Sequence, residues 1–471
     1  MQRIETDICV IGAGSGGLSV AAGAVQMGAR VVLIEADEMG GDCLNTGCVP
    51  SKALIAAAKA AEAQRRGFRG IAPVTPEVDF GAVKDHVAAV IDKIAPVDSQ
   101  ERFEGLGATV IRAFARFTGP REIQAGDTVV RARRFVIATG SRALVPPIQG
   151  VETVPYLTNE TIFALRERPE HLIVIGGGPI GVEMAQAHRR LGCAVTVIEG
   201  AKVLGREDPE LAAVVIEALQ AEGITLVEGQ PVVRLSGDKG AVEVTLGDGR
   251  HIKGSHLLLA VGRKVAVDGM NLEAAGVAYS TKGITVDARL RSTNRRVYAV
   301  GDVAGGLQFT QVAAWHAGIV IRQAVLGLPA KADPRALSRA TYTDPELAQA
   351  GLTEAEARKL HGDAVTVVRA EFAHNDRALA EGKGHGLVKV MVVRGRPVGA
   401  SIVGPQAGEL IGVWALAISA KLKMSVIAAM VAPYPTLGEV SKRAAGAYFS
   451  PKLFDSPTLK RLVRFVQRWV P

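Results

Sequence analysis

Two cysteines stand five residues apart in the run CLNTGC at positions 43–48, which continues as VPSK at 49–52. The run begins eight residues after Glu35, an acid that ends an apolar strand-like segment in a glycine-rich N-terminal region. A strand that ends in an acid after a glycine-rich turn is typical of a dinucleotide-binding unit. Two thiols this close to such a unit indicate electron transfer between a cofactor and a dithiol/disulfide couple.

The spacing of the two cysteines constrains the local backbone. Residues five apart on a regular helix have Cα atoms roughly 8–9 Å apart, whereas a disulfide needs less than about 7 Å. We expect Pro50 to distort the helix, because its ring presses on the carbonyl of Thr46. The N-terminus of a helix would also favour the thiolates. A zinc pair and two unpaired buried cysteines remain as alternatives, although no second Cys/His cluster supplies the further ligands of a zinc site.

The elements that must position these thiols contain one internal repeat. A short apolar strand runs twice into a Gly-x-Gly-x-x-Gly turn and a helix rich in small residues, and in each copy an acid follows 23 residues after the first glycine. The first copy comprises Gly12, Gly14, Gly17 and Glu35; the second comprises Gly176, Gly178, Gly181 and Glu199. Such turns bring a pyrophosphate close to a helix N-terminus, and the acid accepts ribose hydroxyls. Two copies predict two bound dinucleotides.

Composition places the chain among globular proteins. Of its 471 residues, 48% are hydrophobic and 22% are charged, and only four are cysteines, so it is not a disulfide-stapled secreted scaffold. The N-terminus enters a strand at once, and the longest apolar stretch is too short to span a bilayer, so we expect a cytoplasmic protein. The net charge of +8 comes with only 4% aromatic residues, which argues against nucleic-acid binding.

Periodicity predicts further elements between and after the two units. Helices are expected at 52–66 and 80–105, and hairpin strands at 109–117 and 128–133, with a buried strand at 134–138. After about residue 338, strands are expected at 365–372, 387–393 and 397–403, followed by helices from Gln406 onward. That last region is α+β in character and lacks a nucleotide motif, which favours an oligomer interface.

The C-terminal segment 456–471 predicts a basic amphipathic helix. Apolar residues recur at helical spacing among four basic ones. Such a helix more often packs on its own protein or on a sister subunit than on an anionic membrane, and membrane contact is the less favoured of these expectations.

Together these residues resemble the pyridine nucleotide-disulfide oxidoreductases of the lipoamide dehydrogenase, glutathione reductase and mercuric reductase group. The resemblance extends over the whole chain and is carried most specifically by GGDCLNTGCVPSK at 40–52, with support from AVGD at 299–302. It implies an α/β fold with two Rossmann-like domains, one for FAD and one for NAD(P), and a C-terminal α+β dimerisation domain in a homodimer. The expected domains are 1–147 for FAD with the redox-active disulfide, 148–265 for NAD(P), 266–337 for the second part of the FAD domain, and 338–471 for dimerisation.

The resemblance also assigns residue roles. Cys48 would face the flavin and Cys43 would exchange with substrate, while Lys52 and Glu183 would form an ion pair beside the flavin, although an incidental helix lysine and glutamate are the alternative. Glu35 would hold the adenosine ribose of FAD and Asp302 its ribityl chain. Thr139, Gly140 and Gly262, which end buried strands, join Lys52 and the glycines of both turns as expected cofactor-binding residues.

The chain departs from the group near its C-terminus. Where lipoamide dehydrogenases and glutathione reductases carry a His-Pro-Thr-x-x-Glu motif, this sequence has Tyr434 in place of the histidine and retains Glu439. A phenol is a poor proton shuttle at neutral pH, so rapid turnover of lipoamide or glutathione disulfide is not expected. Two roles are open for Tyr434, packing and catalysis. His374 is the candidate to replace the missing catalytic histidine, although a surface or hydrogen-bonded loop role is favoured for it.

Mercuric reductases are similar at this position but also carry a C-terminal cysteine pair, and this chain has no cysteine after Cys193. The predicted function is therefore a mercuric-reductase-like FAD-dependent NAD(P)H:disulfide oxidoreductase with an unidentified disulfide, electrophile or soft metal ion as acceptor. The alternatives are a dihydrolipoamide dehydrogenase with altered proton transfer and a flavin-bearing redox sensor that docks on a partner. Because Glu199 would repel a 2′-phosphate, NADH is expected over NADPH, although Lys202 and Arg206 lie nearby in the sequence. No bound metal is expected.

Overall fold

The computed structural model describes residues 2–470 and contains two compact units. The first comprises the residues up to 201 together with 224–333, and the second comprises 202–223 and the residues from 334 onward. Each unit has its own sheets and its own hydrophobic core.

The first unit is built on a seven-stranded sheet that carries the N-terminal glycine turn. From one edge to the other, its strands are Thr109–Arg112, Val31–Glu35, Gln2–Ile11, Thr128–Ile137, Glu122–Ala125 and Ala115–Gly119, and Val297–Ala299 also pairs with Thr128–Ile137. The pairings among Thr109–Arg112, Val31–Glu35, Gln2–Ile11, Thr128–Ile137 and Val297–Ala299 are parallel. Both faces of this part are covered by apolar clusters, which explains why Val31–Ile34 is a continuous buried run rather than an alternating one.

Helices follow the parallel strands of this sheet. They are Ser15–Gln26, Gly41–Asn45, Cys48–Arg66, Phe80–Asp98, Gln100–Gly105 and Thr310–Ala324. The turn between Gln2–Ile11 and Ser15–Gln26 places the helix N-terminus at the carboxyl edge of the sheet, where ligands of open parallel sheets bind.

A second parallel sheet in the same unit carries the other glycine turn. Its strand order is Thr225–Glu228, Ala194–Glu199, His171–Ile175 and His256–Leu259, and the helix Pro179–Arg190 follows His171–Ile175. A separate antiparallel sheet consists of Val232–Asp238, Ala241–Leu246 and His251–Gly254. Two small two-stranded pairings complete the unit: Ser141–Ala143 with Arg263–Val265, and Tyr279–Ser280 with Gly283–Ile284.

The second unit is α+β. Its antiparallel sheet has the order Ser338–Thr341, Glu346–Gly351, Arg396–Gly404, Leu387–Val393 and Val365–Glu371. Its helices are Pro209–Ala221, Glu354–His361, Asp376–Ala380, Ala407–Ser419, Met424–Ala428, Glu439–Ala447, Ser450–Phe454 and Pro457–Trp469. Trp414 is fully buried in the core and its indole donates to Ser441 Oγ at 3.1 Å, so its polar nitrogen is satisfied. The predicted α/β class with a C-terminal α+β unit is confirmed.

Two predicted elements are wrong in detail. The segment 109–117 is not one hairpin strand, because Thr109–Arg112 pairs at one edge of the first sheet and Ala115–Gly119 lies at the opposite edge. The helix expected at 80–105 is interrupted at Ser99, which adopts an extended conformation and caps the second piece by accepting from Arg102 N–H at 3.2 Å.

A buried charge cluster ties the helix Pro209–Ala221 to the sheet of the second unit. Lys389 is 4% exposed and lies 2.9 Å from Asp208, 2.9 Å from Glu210 and 2.7 Å from Glu354. Bidentate hydrogen bonds from Arg369 to Glu210, followed by a bond from Lys389, lower the pKa of Glu210 to about 2. One buried cation therefore neutralises several carboxylates at once.

Replacing Lys389 by methionine is expected to destabilise the second unit by about 3–5 kcal/mol, because Asp208 would remain buried without its cation. The urea midpoint of the unfolding transition measures the effect. Lys383→Met is the matched control, since Lys383 is 57% exposed and 3.9 Å from its acid, and should change stability by less than about 1 kcal/mol. Equal shifts for the two variants would contradict the assigned importance of the cluster.

Candidate active site

The two cysteines lie on two successive helices and not on one. Cys43 belongs to Gly41–Asn45, and Cys48 is the first residue of Cys48–Arg66. The helix is broken at Thr46 and Gly47, and the two thiols are within hydrogen-bonding contact of each other.

The distortion predicted from Pro50 is located elsewhere. Pro50 sits in the first turn of Cys48–Arg66, where its missing N–H would have had no helical partner, so it does not bend the chain. Gly47 makes the break possible, because a Cβ at this position would lie 2.8 Å from the Asp42 carbonyl oxygen and 2.9 Å from Asp42 Oδ2. The break is held by Thr46, whose N–H donates to Asp42 O at 2.9 Å and whose hydroxyl donates to Asp42 Oδ1 at 3.0 Å.

The surroundings make the two thiols unequal acids. The hydrogen bond with Cys43 lowers the pKa of Cys48 to about 6, and Thr310 and the charge of Lys52 act in the same direction against burial. The Thr310 hydroxyl lies 3.3 Å from Cys48 Sγ. The pKa of Cys43 is raised, first by its hydrogen bond with Cys48 and then by burial. In the dithiol at neutral pH, Cys48 is the thiolate and Cys43 keeps the proton.

The predicted ion pair of Lys52 and Glu183 is present. Lys52 Nζ lies 2.8 Å from Glu183 Oε2, and the glutamate side chain is only 6% exposed. Lys52 projects from the Cys48 helix one turn after the thiol, and Glu183 from the helix Pro179–Arg190. The pair joins the helix that carries the thiolate to the helix that follows the second glycine turn.

The first glycine turn has the geometry of a dinucleotide site. A Cβ on Gly12 would lie 2.5 Å from the Ala138 carbonyl oxygen, and a Cβ on Gly17 would lie 1.8 Å from the Gly12 carbonyl oxygen. Gly14 caps Ser15–Gln26 without any side-chain hydrogen bond, and that first turn holds no acid. The helix N-terminus is thus left with amide donors for a phosphate.

The other expected residues of this region cluster around the same turn. Glu35 accepts from the N–H groups of Ala13 and Asp37. Thr139 donates its hydroxyl to Ala266 O at 2.7 Å, and Gly140 has a φ of +65° with open space where a side chain would lie. Burial raises the pKa of Asp302, whose carboxylate accepts from the Ser141 hydroxyl at 2.5 Å.

The second turn repeats the arrangement. A Cβ on Gly176 would lie 2.4 Å from the Ala260 carbonyl oxygen, and one on Gly181 would lie 1.9 Å from the Gly176 carbonyl oxygen. Gly178 caps Pro179–Arg190 with no side-chain hydrogen bond, and a Cβ on Gly178 would meet no atom within 4 Å. Glu199 accepts from Gly177 N–H at 2.8 Å and from Ala201 N–H at 2.9 Å. Gly262 follows this sheet with a φ of +137°.

Both turns fit the groups that the family resemblance implies. Each offers uncapped helix amides for a pyrophosphate and an acid at the end of the neighbouring strand for ribose hydroxyls. Gly12, Gly14, Gly17 and Glu35 would hold FAD with Asp302, and Gly176, Gly178, Gly181 and Glu199 would hold the nicotinamide dinucleotide.

The sequence analysis missed a polar network that connects the redox segment to the ends of both sheets. Arg263 is 11% exposed and lies 3.3 Å from Asp42 and 3.7 Å from Asp302, and its Nε donates to Ser141 Oγ at 2.6 Å. Asn159 donates to Asp42 Oδ1 at 2.9 Å. The only sequence signal was the position of Arg263 directly after Gly262, at the end of a buried strand.

A second missed residue, His316, supports the loop that carries Asp302. Its Nδ1 accepts from Gly301 N–H at 3.2 Å, and burial lowers the pKa of His316 to about 4, so the ring is neutral and can accept. Thr310 and His316 share the helix Thr310–Ala324, which the sequence analysis did not predict.

The C-terminal motif lies in the second unit. The Tyr434 hydroxyl donates to Asp376 Oδ2 at 2.8 Å, and this bond raises the pKa of Tyr434 above its usual value near 10. Thr436 N–H donates to Glu439 at 3.4 Å, so Glu439 accepts from a backbone amide, whereas Tyr434 pairs with Asp376. His374 is an exposed residue 4.0 Å from Glu371, as the favoured surface role requires.

Removal of the Thr310 hydroxyl is expected to raise the pKa of Cys48 by about one to two units, because a hydrogen bond to a thiolate contributes roughly 1.5–3 kcal/mol. The rate of alkylation of the reduced protein by iodoacetamide, with the labelled cysteine identified by mass spectrometry, should rise with pH through a midpoint near 6. In Thr310→Val the midpoint should move to higher pH, and in Thr310→Ser it should stay. A midpoint unchanged in Thr310→Val would contradict the contact.

The comparisons with known proteins agree with this geometry. The model of the family described as pyridine nucleotide-disulphide oxidoreductase matches residues 6–317, and the dimerisation domain of the same family matches residues 337–445. A mercuric reductase from Streptomyces lividans is 35% identical over 458 residues, covering 94% of this chain and 96% of that one. A dihydrolipoyl dehydrogenase from Thermus scotoductus is 37% identical over 457 residues, covering 94% and 97%.

A solved structure is also similar to this chain over most of its length. The HOCl-induced flavoprotein disulfide reductase RclA from Escherichia coli superimposes with a TM-score of 0.84 at 28% identity, covering 93% of this chain and 99% of that one. The chain therefore belongs to the pyridine nucleotide-disulphide oxidoreductase family and is an FAD-dependent NAD(P)H:disulfide oxidoreductase with a dimerisation domain.

Proposed function

We propose that this protein is an NADH-dependent reductase whose Cys43–Cys48 dithiol delivers two electrons to a soft metal ion or a thiol-reactive electrophile. The observation that carries the proposal is the contact of the two thiols at the helix break, with Cys48 beside Thr310. The mercuric reductase relatives support the class of acceptor.

The distribution of protons favours such an acceptor. Thiol–disulfide exchange requires a thiolate at the attacking sulfur, and the pKa of Cys43 is raised. A soft metal ion displaces the proton when it binds, because a coordinating thiol is deprotonated. Cys48, already a thiolate, and Cys43, which releases its one proton, would then form their S–S bond and transfer two electrons to the ion.

Tyr434 supports the same choice. A phenol with a raised pKa that donates to Asp376 does not take a proton from a thiol at neutral pH. Metal-ion reduction does not need a base in that position, whereas exchange with lipoamide does. We therefore assign Tyr434 a hydrogen-bonding role.

The remaining site residues are proposed to bind and orient. FAD, when bound, would supply the two-electron transfer that links a nicotinamide to the Cys43–Cys48 pair. Lys52, fixed by Glu183, stabilises negative charge near Cys48. Glu35 and Asp302 are proposed to hold ribose and ribityl hydroxyls, with Thr139, Gly140 and Gly262 lining the cofactor sites.

A dihydrolipoamide dehydrogenase is the second candidate, because the relative from Thermus scotoductus bears that name. A steady-state assay with dihydrolipoamide and NAD⁺ distinguishes the two candidates. Turnover faster than that with Hg(II) and NADH would favour this second function.

The finer assignments of organisation are also proposals. We assign 1–147 and 266–337 to the FAD domain, 148–265 to the NAD(P) domain and 338–471 to dimerisation. The match of 337–445 to the dimerisation model supports a homodimer, and we propose a cytoplasmic location.

Replacing Cys43 by serine is expected to reduce NADH-dependent reduction of Hg(II) or a disulfide at least 100-fold, because no dithiol can form. NADH–quinone reductase activity should remain, since it does not use the pair. Cys193→Ala is the matched control: Cys193 is buried, outside the site, and should leave both activities near their original rates. Persisting Hg(II) and disulfide reduction in Cys43→Ser would overturn the proposal that the dithiol is the exit route.

Replacement of Glu199 tests the proposed preference for NADH over NADPH. Its carboxylate is oriented by Gly177 N–H and Ala201 N–H and would repel a 2′-phosphate. Glu199→Arg is expected to raise the ratio of kcat/KM for NADPH to that for NADH by about 10-fold or more, because arginine pairs with phosphate. Glu199→Gln, which only removes the charge, should give a smaller increase. An original preference for NADPH would refute the proposal of NADH.

A further inference from the structure

The last helix of the chain presents an uncovered apolar face. Pro457–Trp469 begins at Ser456, whose hydroxyl accepts from Leu459 N–H at 3.3 Å, and no residue of the helix is buried. Leu462 is 55% exposed and Trp469 is 66% exposed. An isolated helix of this length is marginal in water, so this face needs an occupant.

The side chains of this tail helix (Pro457–Trp469) are sorted into two faces. At 100° per residue, one half of the cylinder carries the apolar side chains, which are Leu459, Leu462, Val463, Phe465, Val466, Trp469 and the adjoining Val470. The opposite half carries Lys460, Arg461, Arg464, Gln467 and Arg468. No acid occurs between 456 and 470.

The segment before the tail helix extends the apolar surface. In Ser450–Phe454, Leu453 is 48% exposed and Phe454 is 68% exposed. Asp455 is the only acid from 446 to 470. Two successive helices thus combine exposed apolar side chains with an excess of positive charge.

We propose that the tail helix lies in the surface of an anionic lipid bilayer, with its apolar face in the acyl boundary and its basic face among the phosphates. The charge pattern selects this occupant: four cations without an acid complement a negatively charged surface. The match to the dimerisation domain covers residues 337–445, and the tail helix lies beyond it.

The dimensions of the helix favour an orientation parallel to the membrane plane. Thirteen residues at about 1.5 Å each reach roughly 20 Å, whereas the hydrocarbon core is about 30 Å thick. Within residues 2–470, no helix has the length and apolarity needed to cross a membrane. Trp469 at the end of the helix is a side chain that favours the headgroup region.

Co-sedimentation of the full-length FAD-loaded protein with vesicles tests the proposal. The protein should bind vesicles of phosphatidylcholine with 30% phosphatidylglycerol at least 10-fold more strongly than phosphatidylcholine alone, and 0.5 M KCl should weaken the binding. The double variant Leu462→Gln/Val466→Gln and the triple variant Arg461→Gln/Arg464→Gln/Arg468→Gln should each lose at least 10-fold in affinity. Gln467→Ala, on the basic face, is the matched control and should bind like the original protein.

Two further measurements make the outcome decisive. NADH–quinone reductase activity should be equal in all variants, which verifies that they are folded and loaded. Absence of binding to anionic vesicles, or equal binding by a chain that ends at residue 455, would overturn the proposal. A change from dimer to monomer in Leu462→Gln/Val466→Gln, measured by light scattering, would also overturn it by identifying a second copy of the chain as the occupant.

Discussion

The redox site depends on one interruption of a helix. A continuous helix would hold Cys43 and Cys48 too far apart to form a bond. Gly47 permits the chain to turn against Asp42 at a distance that excludes any Cβ, and the Asp42 carboxylate holds the turn through Thr46. The interruption also makes Cys48 the first residue of a new helix, where the dipole stabilises a thiolate. The same backbone feature therefore sets both the distance between the sulfurs and the difference in their acidity.

The interruption is anchored from outside the segment. Arg263 joins Asp42 to Asp302, and Asn159 also donates to Asp42. Arg263 is almost fully buried and pairs with carboxylates on both sides. Its removal would leave both carboxylates without their cation. The carboxylate proposed to bind the ribityl chain and the carboxylate that shapes the cysteine turn are thus held by one guanidinium group.

Local patterns predicted the parts of the site that depend on local geometry. In each copy of the repeat the acid lies 23 residues after the first glycine of its own turn, and strand–turn–helix units of that size have recognisable spacing. Thr310 and Arg263 could not be found in this way, because their partners are distant in sequence and are brought near by packing; Thr310 is 262 residues from Cys48. The wrong role for Pro50 has a related cause. Proline breaks helix interiors, but the sequence alone did not reveal that a new helix begins at Cys48.

The unequal acidity of the two thiols and the state of Tyr434 constrain the chemistry jointly. The hydrogen bond between the two sulfurs lowers the pKa of Cys48 and raises that of Cys43. The Cys48 thiolate is therefore stabilised only while Cys43 keeps its proton. Tyr434, at the histidine position of the C-terminal motif, is a phenol that donates to Asp376 and is not a base at neutral pH. Under the proposed function, the proton of Cys43 leaves when the acceptor binds the sulfur. A soft metal ion that binds sulfur strongly enough to displace a proton satisfies this condition.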